Sequence, residues 1–141
     1  MSRVSPVSPV DCMKSTLPKT LLVVEDDATL RASLLEVARS LGYEAKGCDT
    51  AEAALALAAS FKPTVIFSDV HLARGDGRRV LAKLREDKTL SDCQFVLMTG
   101  DWVGASQRSS IEQEADAYLA KPFTMQEFVA CLDERHRQAN L

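Results

Sequence analysis

The stretch Leu21-Leu22-Val23-Val24-Glu25-Asp26-Asp27 decides the fold. Four consecutive apolar residues, two of them β-branched, predict a strand buried on both faces of a sheet. The three carboxylates that follow cannot lie inside an apolar layer, so we expect them where the strand ends. Two like charges about 4 Å apart repel by roughly 4 kcal/mol at an effective dielectric constant near 20. The stretch therefore indicates a cation site of oxygen ligands, which suits Mg²⁺. An exposed acidic helix N-terminus is the alternative explanation.

Length and composition are those of one globular domain, with 141 residues and 46% hydrophobic residues. A net charge of −3 without a basic run argues against a nucleic-acid partner. No apolar run approaches the ~18 residues of a membrane span, and no signal peptide is recognisable, so we expect a cytoplasmic protein with no membrane contact. The four cysteines form no Cys-x-x-Cys pair, which disfavours a metal or redox centre built on sulfur.

Strands and helices alternate from Lys19 onward. Asp49, with Glu52 three residues on, is the predicted cap of the second helix, and Thr124 with Glu127 predicts a capping box that opens the last one. A fourth helical stretch, at 105–114, has a single large apolar residue, so we expect it to be loosely held. The predicted strands are 21–24, 43–48, 64–69, 95–98 and 117–120.

Five alternating strand and helix units imply an α/β fold with a parallel sheet covered by helices on both faces. In the doubly wound order 2-1-3-4-5, strands one and three are neighbours, and the crevice opens between their carboxyl ends. We assign residues 19–139 to this domain. Residues 1–18, which contain a Ser-Pro repeat without periodicity, are predicted to be a disordered N-terminal extension. The strand ends bring together Glu25, Asp26, Asp69, Thr99 and Lys121.

Those side chains match the needs of phosphoryl transfer. An ionised Asp69 can act as a nucleophile toward phosphorus and form an aspartyl phosphate. Mg²⁺ held by Asp26 and Asp69, the ammonium of Lys121 and the hydroxyl of Thr99 could each meet one phosphoryl oxygen. Every group that the reaction needs comes from a strand end, which favours this interpretation over a solvated acidic surface.

Over residues 19–139, the chain resembles the receiver domain of bacterial two-component response regulators, in a single-domain form similar to chemotaxis regulators. The resemblance implies a flavodoxin-like (βα)5 receiver fold. Each matching segment is short, but their order and their places on the fold make the likeness specific. The segments are Val23-Val24-Glu25-Asp26-Asp27, Ser68-Asp69, Asp76-Gly77, Met98-Thr99-Gly100 and Tyr118-Leu119-Ala120-Lys121-Pro122-Phe123.

The resemblance implies that Asp69 accepts a phosphoryl group from a phosphohistidine on a sensor histidine kinase or a histidine phosphotransfer protein. It implies Mg²⁺ as the cofactor, bound by Asp26 and Asp69. Glu25 would contribute to the acidic pocket, often through water, and His71 would contribute its backbone carbonyl.

The resemblance also assigns roles around the phosphoryl group. Lys121 would contact a phosphoryl oxygen, and Thr99 with Tyr118 would form a switch pair in which the hydroxyl moves and the ring turns inward. The bond before Pro122 is expected to be cis. Leu72 and Ala73 stand where the family usually has Met-Pro, so we expect a more mobile loop after Asp69.

We therefore predict a stand-alone phosphoacceptor that catalyses its own phosphorylation and slow dephosphorylation but is not a conventional enzyme. Only 20 residues follow Lys121, so no output domain is expected, and the target must be another protein of unknown identity. The expected output surface comprises the fourth predicted helix, the fifth strand and the final helix. A Mg²⁺-dependent phosphohydrolase is one alternative, although His71 stands where such enzymes usually have a second acid. A phosphorylation-independent adaptor is the other, although none of the acids, Thr99 or Lys121 is lost.

Overall fold

The computed structural model describes residues 17–100 and 115–141. In these ranges all strand pairs are parallel and the sheet order is β2-β1-β3-β4-β5, which confirms the predicted doubly wound fold. The helical stretch predicted at 105–114 and most of the predicted extension lie outside the described residues. The elements are β1 (Thr20–Val24), α1 (Ala28–Ser40), β2 (Glu44–Cys48), α2 (Ala51–Phe61), β3 (Val65–Asp69), α3 (Gly77–Glu86), β4 (Gln94–Thr99), β5 (Ala117–Ala120) and α4 (Met125–Ala139).

The sheet separates two hydrophobic clusters. One lies between the sheet and α2 and α3, and the other lies between the sheet and α1 and α4. Alternate residues of β1 enter the two clusters, with Leu22 and Val24 on one face and Leu21 and Val23 on the other, as the pleat of a strand requires. Because β1 is buried on both faces along its whole length, the acids that follow it lie at its carboxyl end.

Local capping signals set several helix boundaries. The predicted capping box at the start of α4 is confirmed: Thr124 accepts a hydrogen bond from the Glu127 N–H, and the Glu127 carboxylate accepts one from the Thr124 N–H. Beyond α1, Gly42 takes a φ of 92°, the left-handed conformation that glycine adopts readily after a helix. No helix in the described ranges combines the length and the apolar character needed to cross a membrane.

The predicted cap of α2 is wrong by one residue. Thr50, not Asp49, caps this helix, and its hydroxyl accepts a 3.1 Å hydrogen bond from the Ala53 N–H. The cause is tertiary, because Thr50 forms a parallel bridge with Arg74 in the loop after β3. That pairing keeps Thr50 extended, and the next N–H, that of Ala51, donates to the Arg74 carbonyl at 3.1 Å. The helix therefore starts only at Ala51.

The loop between β3 and α3 is joined to the body of the domain at more than one point. Arg74 is bonded to the start of α2, and His71 forms an antiparallel bridge with Asp76. Asp76 then caps α3 by accepting a 2.7 Å hydrogen bond from the Arg78 N–H. These contacts show how the loop is held without the Met-Pro pair, and its expected greater mobility stays a prediction.

Candidate functional site

Three carboxylates meet where β1 and β3 end side by side. Glu25 and Asp26 directly follow β1, and Asp69 is the last residue of β3, in a register that pairs Val24 with Ser68. One oxygen of each carboxylate lies within 4.8 Å of the others. Glu25 and Asp69 are buried, whereas Asp26 is exposed. The cluster expected at this sheet edge is therefore present.

The exposed helix N-terminus considered as the alternative describes only the third acid of the stretch, Asp27. Its side chain accepts hydrogen bonds from the N–H groups of Thr29 and Leu30, at 3.0 and 3.2 Å, and so caps α1. Asp27 is thus committed to the helix. The two acids before it lie in the cluster.

The ammonium group of Lys121 contacts two of the three clustered carboxylates. Its Nζ lies 2.7 Å from Glu25 Oε1 and 2.8 Å from Asp69 Oδ2. The lysine follows β5, and its own N–H donates to the Thr99 carbonyl at 2.8 Å. Burial by itself lowers the pKa of Lys121, but the hydrogen bonds and charges of Asp69 and Glu25 outweigh burial and raise that pKa above its ordinary value. The lysine is therefore a permanent cation in the site.

Glu25 is the most enclosed acid of the site, with 1% of the residue exposed. Oε1 accepts from Lys121, Oε2 accepts from the Asp27 N–H at 3.1 Å, and the backbone carbonyl accepts from Arg31 Nη1 at 2.7 Å. Burial raises the pKa of Glu25 above its ordinary value and the charge of Asp69 adds to this, while the Lys121 and Asp27 hydrogen bonds act against them. Because each of its two oxygens accepts a hydrogen bond, the Glu25 carboxylate is held in one orientation.

The other residues singled out from the sequence lie around Asp69. The His71 N–H donates to Asp69 Oδ1 at 3.3 Å. Thr99 ends β4, the neighbour of β3. On β5, Tyr118 pairs with Leu97, so it lies diagonally across from Thr99 on the same face of the sheet. The structure thus places the two predicted switch residues on adjacent strands.

A groove beside the cluster was not foreseen from the sequence. It has a volume of about 350 Å³ and is lined by Asp27, Leu30, Lys121, Pro122 and Phe123. Leu30 is half-buried, packs against the margin of the hydrophobic cluster between the sheet and α1 and α4, and also lines this groove. The peptide bond before Pro122 is cis, as the resemblance implied. The only sequence signal for the groove was the apolar residues close to the site residue Lys121 and to Asp27, which directly follows the clustered acids.

Fold and site together define the class of protein: a doubly wound α/β domain with a buried aspartate, a lysine and an acidic cluster at one sheet edge. That is the architecture of receiver domains, which are phosphoacceptors rather than classical enzymes. The chain belongs to the response regulator receiver domain family, whose profile it matches over residues 21–133.

Curated relatives agree with this membership. The phosphate regulon transcriptional regulatory protein PhoB of Pseudomonas aeruginosa is 29% identical over 114 residues, which cover 81% of this chain and 50% of PhoB. The response regulator MprA of Mycolicibacterium vanbaalenii is 32% identical over 114 residues, which cover 81% of this chain and 48% of MprA. The chain spans about half the length of the curated relatives it matches.

Solved structures show the same fold. The chemotaxis response regulator CheY4 of Vibrio cholerae superposes with a TM-score of 0.77 at 21% identity, covering 84% of this chain and 98% of CheY4. The receiver domain of the sensor histidine kinase PA1611 of Pseudomonas aeruginosa gives a TM-score of 0.76 at 21% identity, covering 86% of this chain and 99% of that domain. The PA1611 domain holds a magnesium ion in its active-site cleft.

Proposed function

We propose that this chain is a Mg²⁺-dependent phosphoacceptor that receives a phosphoryl group on Asp69 from the phosphohistidine of a sensor histidine kinase or histidine phosphotransfer protein. The observation that carries the proposal is the position of Lys121 Nζ, 2.7 Å from Glu25 and 2.8 Å from Asp69, inside the carboxylate cluster. A lysine bonded to the nucleophile is well placed to bind an oxygen of the incoming phosphoryl group.

The donor set fits Mg²⁺. Three carboxylates and one ammonium leave the cluster with a formal charge of −2 (three negative, one positive), which a divalent cation balances. Asp26, which is exposed at the mouth of the cluster, and Asp69 would be the direct ligands, with the His71 backbone carbonyl, and the buried Glu25 would contribute to the acidic pocket. Both Asp69 oxygens accept hydrogen bonds, from the His71 N–H and from Lys121, so a bound cation would share this carboxylate with the lysine. When bound, Mg²⁺ would neutralise charge on the phosphoryl oxygens.

In the transfer step, an Asp69 carboxylate oxygen attacks phosphorus. A P–O bond forms, the P–N bond of the donor's phosphohistidine breaks, and its electron pair returns to the imidazole nitrogen. Lys121 keeps its charge throughout and exchanges a carboxylate oxygen for a phosphoryl oxygen. Thr99, at the end of the neighbouring strand, donates its hydroxyl to another oxygen. The groove beside Lys121 is lined by Leu30 and Phe123, so it provides an apolar surface on which the donor protein can bind next to Asp69.

Transfer converts the Asp69 carboxylate into an acyl phosphate of higher negative charge, which attracts the Thr99 hydroxyl. Tyr118 is partly buried against the cluster that contains α2 and α3, and it lies on the same sheet face as Thr99. A shift of Thr99 therefore opens room for the Tyr118 ring. We place the output on the surface formed by β5, α4 and the helical stretch predicted at 105–114, the last of which lies outside the described residues.

The test combines the protein, Mg²⁺ and a small phosphodonor such as acetyl phosphate, with phosphoryl incorporation measured by intact mass. The fluorescence of Trp102, the only tryptophan, is followed in parallel. We expect one base-labile phosphoryl group per chain in the parent and none in Asp69→Asn. The matched control is Asp92→Asn, which removes an exposed aspartate just before β4, at the opposite edge of the sheet.

Equal labelling of the parent and Asp69→Asn would refute Asp69 as the acceptor. Steady release of phosphate from small phosphoesters would favour the phosphohydrolase instead. A parent that takes up no phosphoryl group, yet binds its protein target, would favour the phosphorylation-independent adaptor.

A further inference from the structure

We propose that Arg31 is a positioning residue for the acidic cluster: its guanidinium holds the turn that presents Asp26, and Gly47 supplies the space in which it does so. Arg31 lies on α1, and its Nη1 donates a 2.7 Å hydrogen bond back to the carbonyl oxygen of Glu25. The inference rests on the proposed function, because it concerns the same Mg²⁺ site.

The bonded carbonyl is the one that controls Asp26. A peptide unit is planar, so the Glu25 oxygen and the Asp26 N and Cα lie in one plane. The Arg31 bond fixes one edge of that plane, and the hydrogen bond from the Asp27 N–H to Glu25 Oε2, at 3.1 Å, restrains the residue that follows. The carboxylate of Asp26 is exposed and has no such enclosure of its own. Its placement therefore depends on the backbone on either side.

The path of the Arg31 side chain depends on a glycine in β2. A Cβ added at Gly47 would lie 3.1 Å from both Cγ and Cδ of Arg31 and 2.9 Å from Cδ1 of Leu35. Any side chain at this position would therefore push the arginine stem away from the edge strand. Gly47 pairs with Val23 near the end of β1, so the space that it leaves is next to the turn.

The same helix supplies a matched comparison. Arg39, in the last turn of α1, donates to the Ala45 carbonyl through Nε at 3.2 Å and Nη2 at 2.6 Å. Both arginines tie α1 to backbone carbonyls of the sheet side, but Ala45 lies near the opposite end of β2 from the acidic cluster. Loss of Arg39 thus loosens α1 without touching the turn that carries Asp26.

The two ways in which Arg31 could act, through its positive charge or by positioning Asp26, predict opposite changes in Mg²⁺ affinity when the arginine is removed. If Arg31 acted only through its positive charge, its removal would strengthen the binding of a cation. If it positions Asp26, its removal weakens binding, by about tenfold for loss of a partner that orients a ligand. Gly47→Ala keeps the charge of Arg31 and crowds its stem together with the end of the Leu35 side chain, so it tests the positional effect without a change of charge.

The experiment is calorimetric titration of Mg²⁺ in about 0.15 M salt with the parent, Arg31→Met, Gly47→Ala and Arg39→Met. We expect about tenfold weaker binding in Arg31→Met, a smaller loss in Gly47→Ala, and parent-level binding in Arg39→Met. Without metal, amide hydrogen exchange of Asp27 should be faster in Arg31→Met than in the parent and unchanged in Arg39→Met.

Unchanged or tighter Mg²⁺ binding by Arg31→Met overturns the proposal, as does an equal loss in Arg39→Met. Should Arg31→Met fail to fold, Gly47→Ala decides alone, and parent-level binding by it overturns the proposal. A parent that binds Mg²⁺ but accepts no phosphoryl group refutes the proposed function and leaves the role of Arg31 standing. A parent that binds no Mg²⁺ refutes both.

Discussion

Lys121 and Asp69 form an ion pair of 2.8 Å although their strands are not neighbours in the sheet. β4 lies between β3 and β5, so the lysine side chain reaches across the end of β4 to the Asp69 carboxylate. Among the described residues this end of β4 is uncrowded, since even a Cβ added at Gly100 would lie 3.9 Å from the Lys121 Cβ, an ordinary contact. The carboxylate cluster is therefore already organised around a cation, and under the proposed function phosphorylation would exchange the lysine's partner.

Replacement of this lysine should destabilise the metal-free protein. In Lys121→Met, the cluster of Glu25, Asp26 and Asp69 loses its bonded cation. Removing one partner of a fully buried pair costs 3–5 kcal/mol; since the Lys121 side chain is 23% exposed, we expect about 2 kcal/mol. Urea unfolding without Mg²⁺ measures the loss. Lys83→Met, on the exposed side of α3, should stay within about 0.5 kcal/mol of the parent, and an equal loss there would contradict the prediction.

Mg²⁺ should stabilise the parent and not Asp26→Asn. At a concentration a hundredfold above the dissociation constant, a ligand of the folded state adds about 2.7 kcal/mol. In the absence of metal, Asp26→Asn should itself be more stable than the parent by about 1 kcal/mol, because it removes a like charge from the cluster. Thermal melts with and without Mg²⁺ measure both effects. Asp92→Asn should respond as the parent does, and a Mg²⁺ response retained by Asp26→Asn would remove that residue from the metal site.

The start of α3 should tolerate no side chain at Gly77. A Cβ there would overlap the Asp69 carbonyl oxygen and lie 2.7 Å from Ser68 Oγ, so the end of β3 or the start of α3 must move. We expect Gly77→Ala to lose about 3 kcal/mol of unfolding free energy and to impair labelling of Asp69. In the matched variant Gly100→Ala, the part of the chain that the structure describes leaves ordinary space for the added Cβ, so the variant should unfold within about 0.5 kcal/mol of the parent. Chemical denaturation compares them, and similar stabilities would argue against the close approach of α3.

Stability should fall as pH drops through the range in which His136 titrates. The imidazole packs edge-on against Tyr43, with 5.8 Å between ring centroids, while the Lys19 ammonium lies 5.3 Å from the Tyr43 ring centroid. Burial lowers the pKa of His136 below its ordinary value of 6.5 and Lys19 adds to this, while Asp133 opposes them. The unfolded chain therefore takes up the proton first, so the stabilisation is full above about pH 6.5 and is lost as pH falls through the lowered pKa.

The measurement is the urea midpoint between pH 8 and 5.5, with the His136 resonance followed by NMR. His136→Gln should flatten the dependence, and Lys19→Met should raise the pKa of His136 and shrink the effect. If the urea midpoint depends on pH equally in the parent and in His136→Gln, this histidine is not the source of the pH dependence.

Features that depend on neighbours in the chain were predictable. The Thr124 and Glu127 capping box joins residues three apart, so its geometry follows from helix formation alone. The burial of the strand at Leu21–Val24, and the position of the carboxylates at its end, could be predicted because apolar residues are buried and charged ones are not. The cap of α2 shows the limit, because both Asp49 and Thr50 can cap a helix, and the bridge to Arg74, 24 residues away, selected Thr50.

The sequence by itself determined the alternation of strands and helices and the set of polar side chains that follow the strands, because parallel strands joined by right-handed crossovers have their carboxyl ends at one edge of the sheet. Only the tertiary structure decided which partners those groups take. Three contacts depend on distances between elements. Lys121 bonds both Glu25 and Asp69, Arg31 bonds the Glu25 carbonyl, and Gly47 leaves space for the Arg31 side chain. Such contacts are set by how helices pack on the sheet, and no local pattern of residues encodes them.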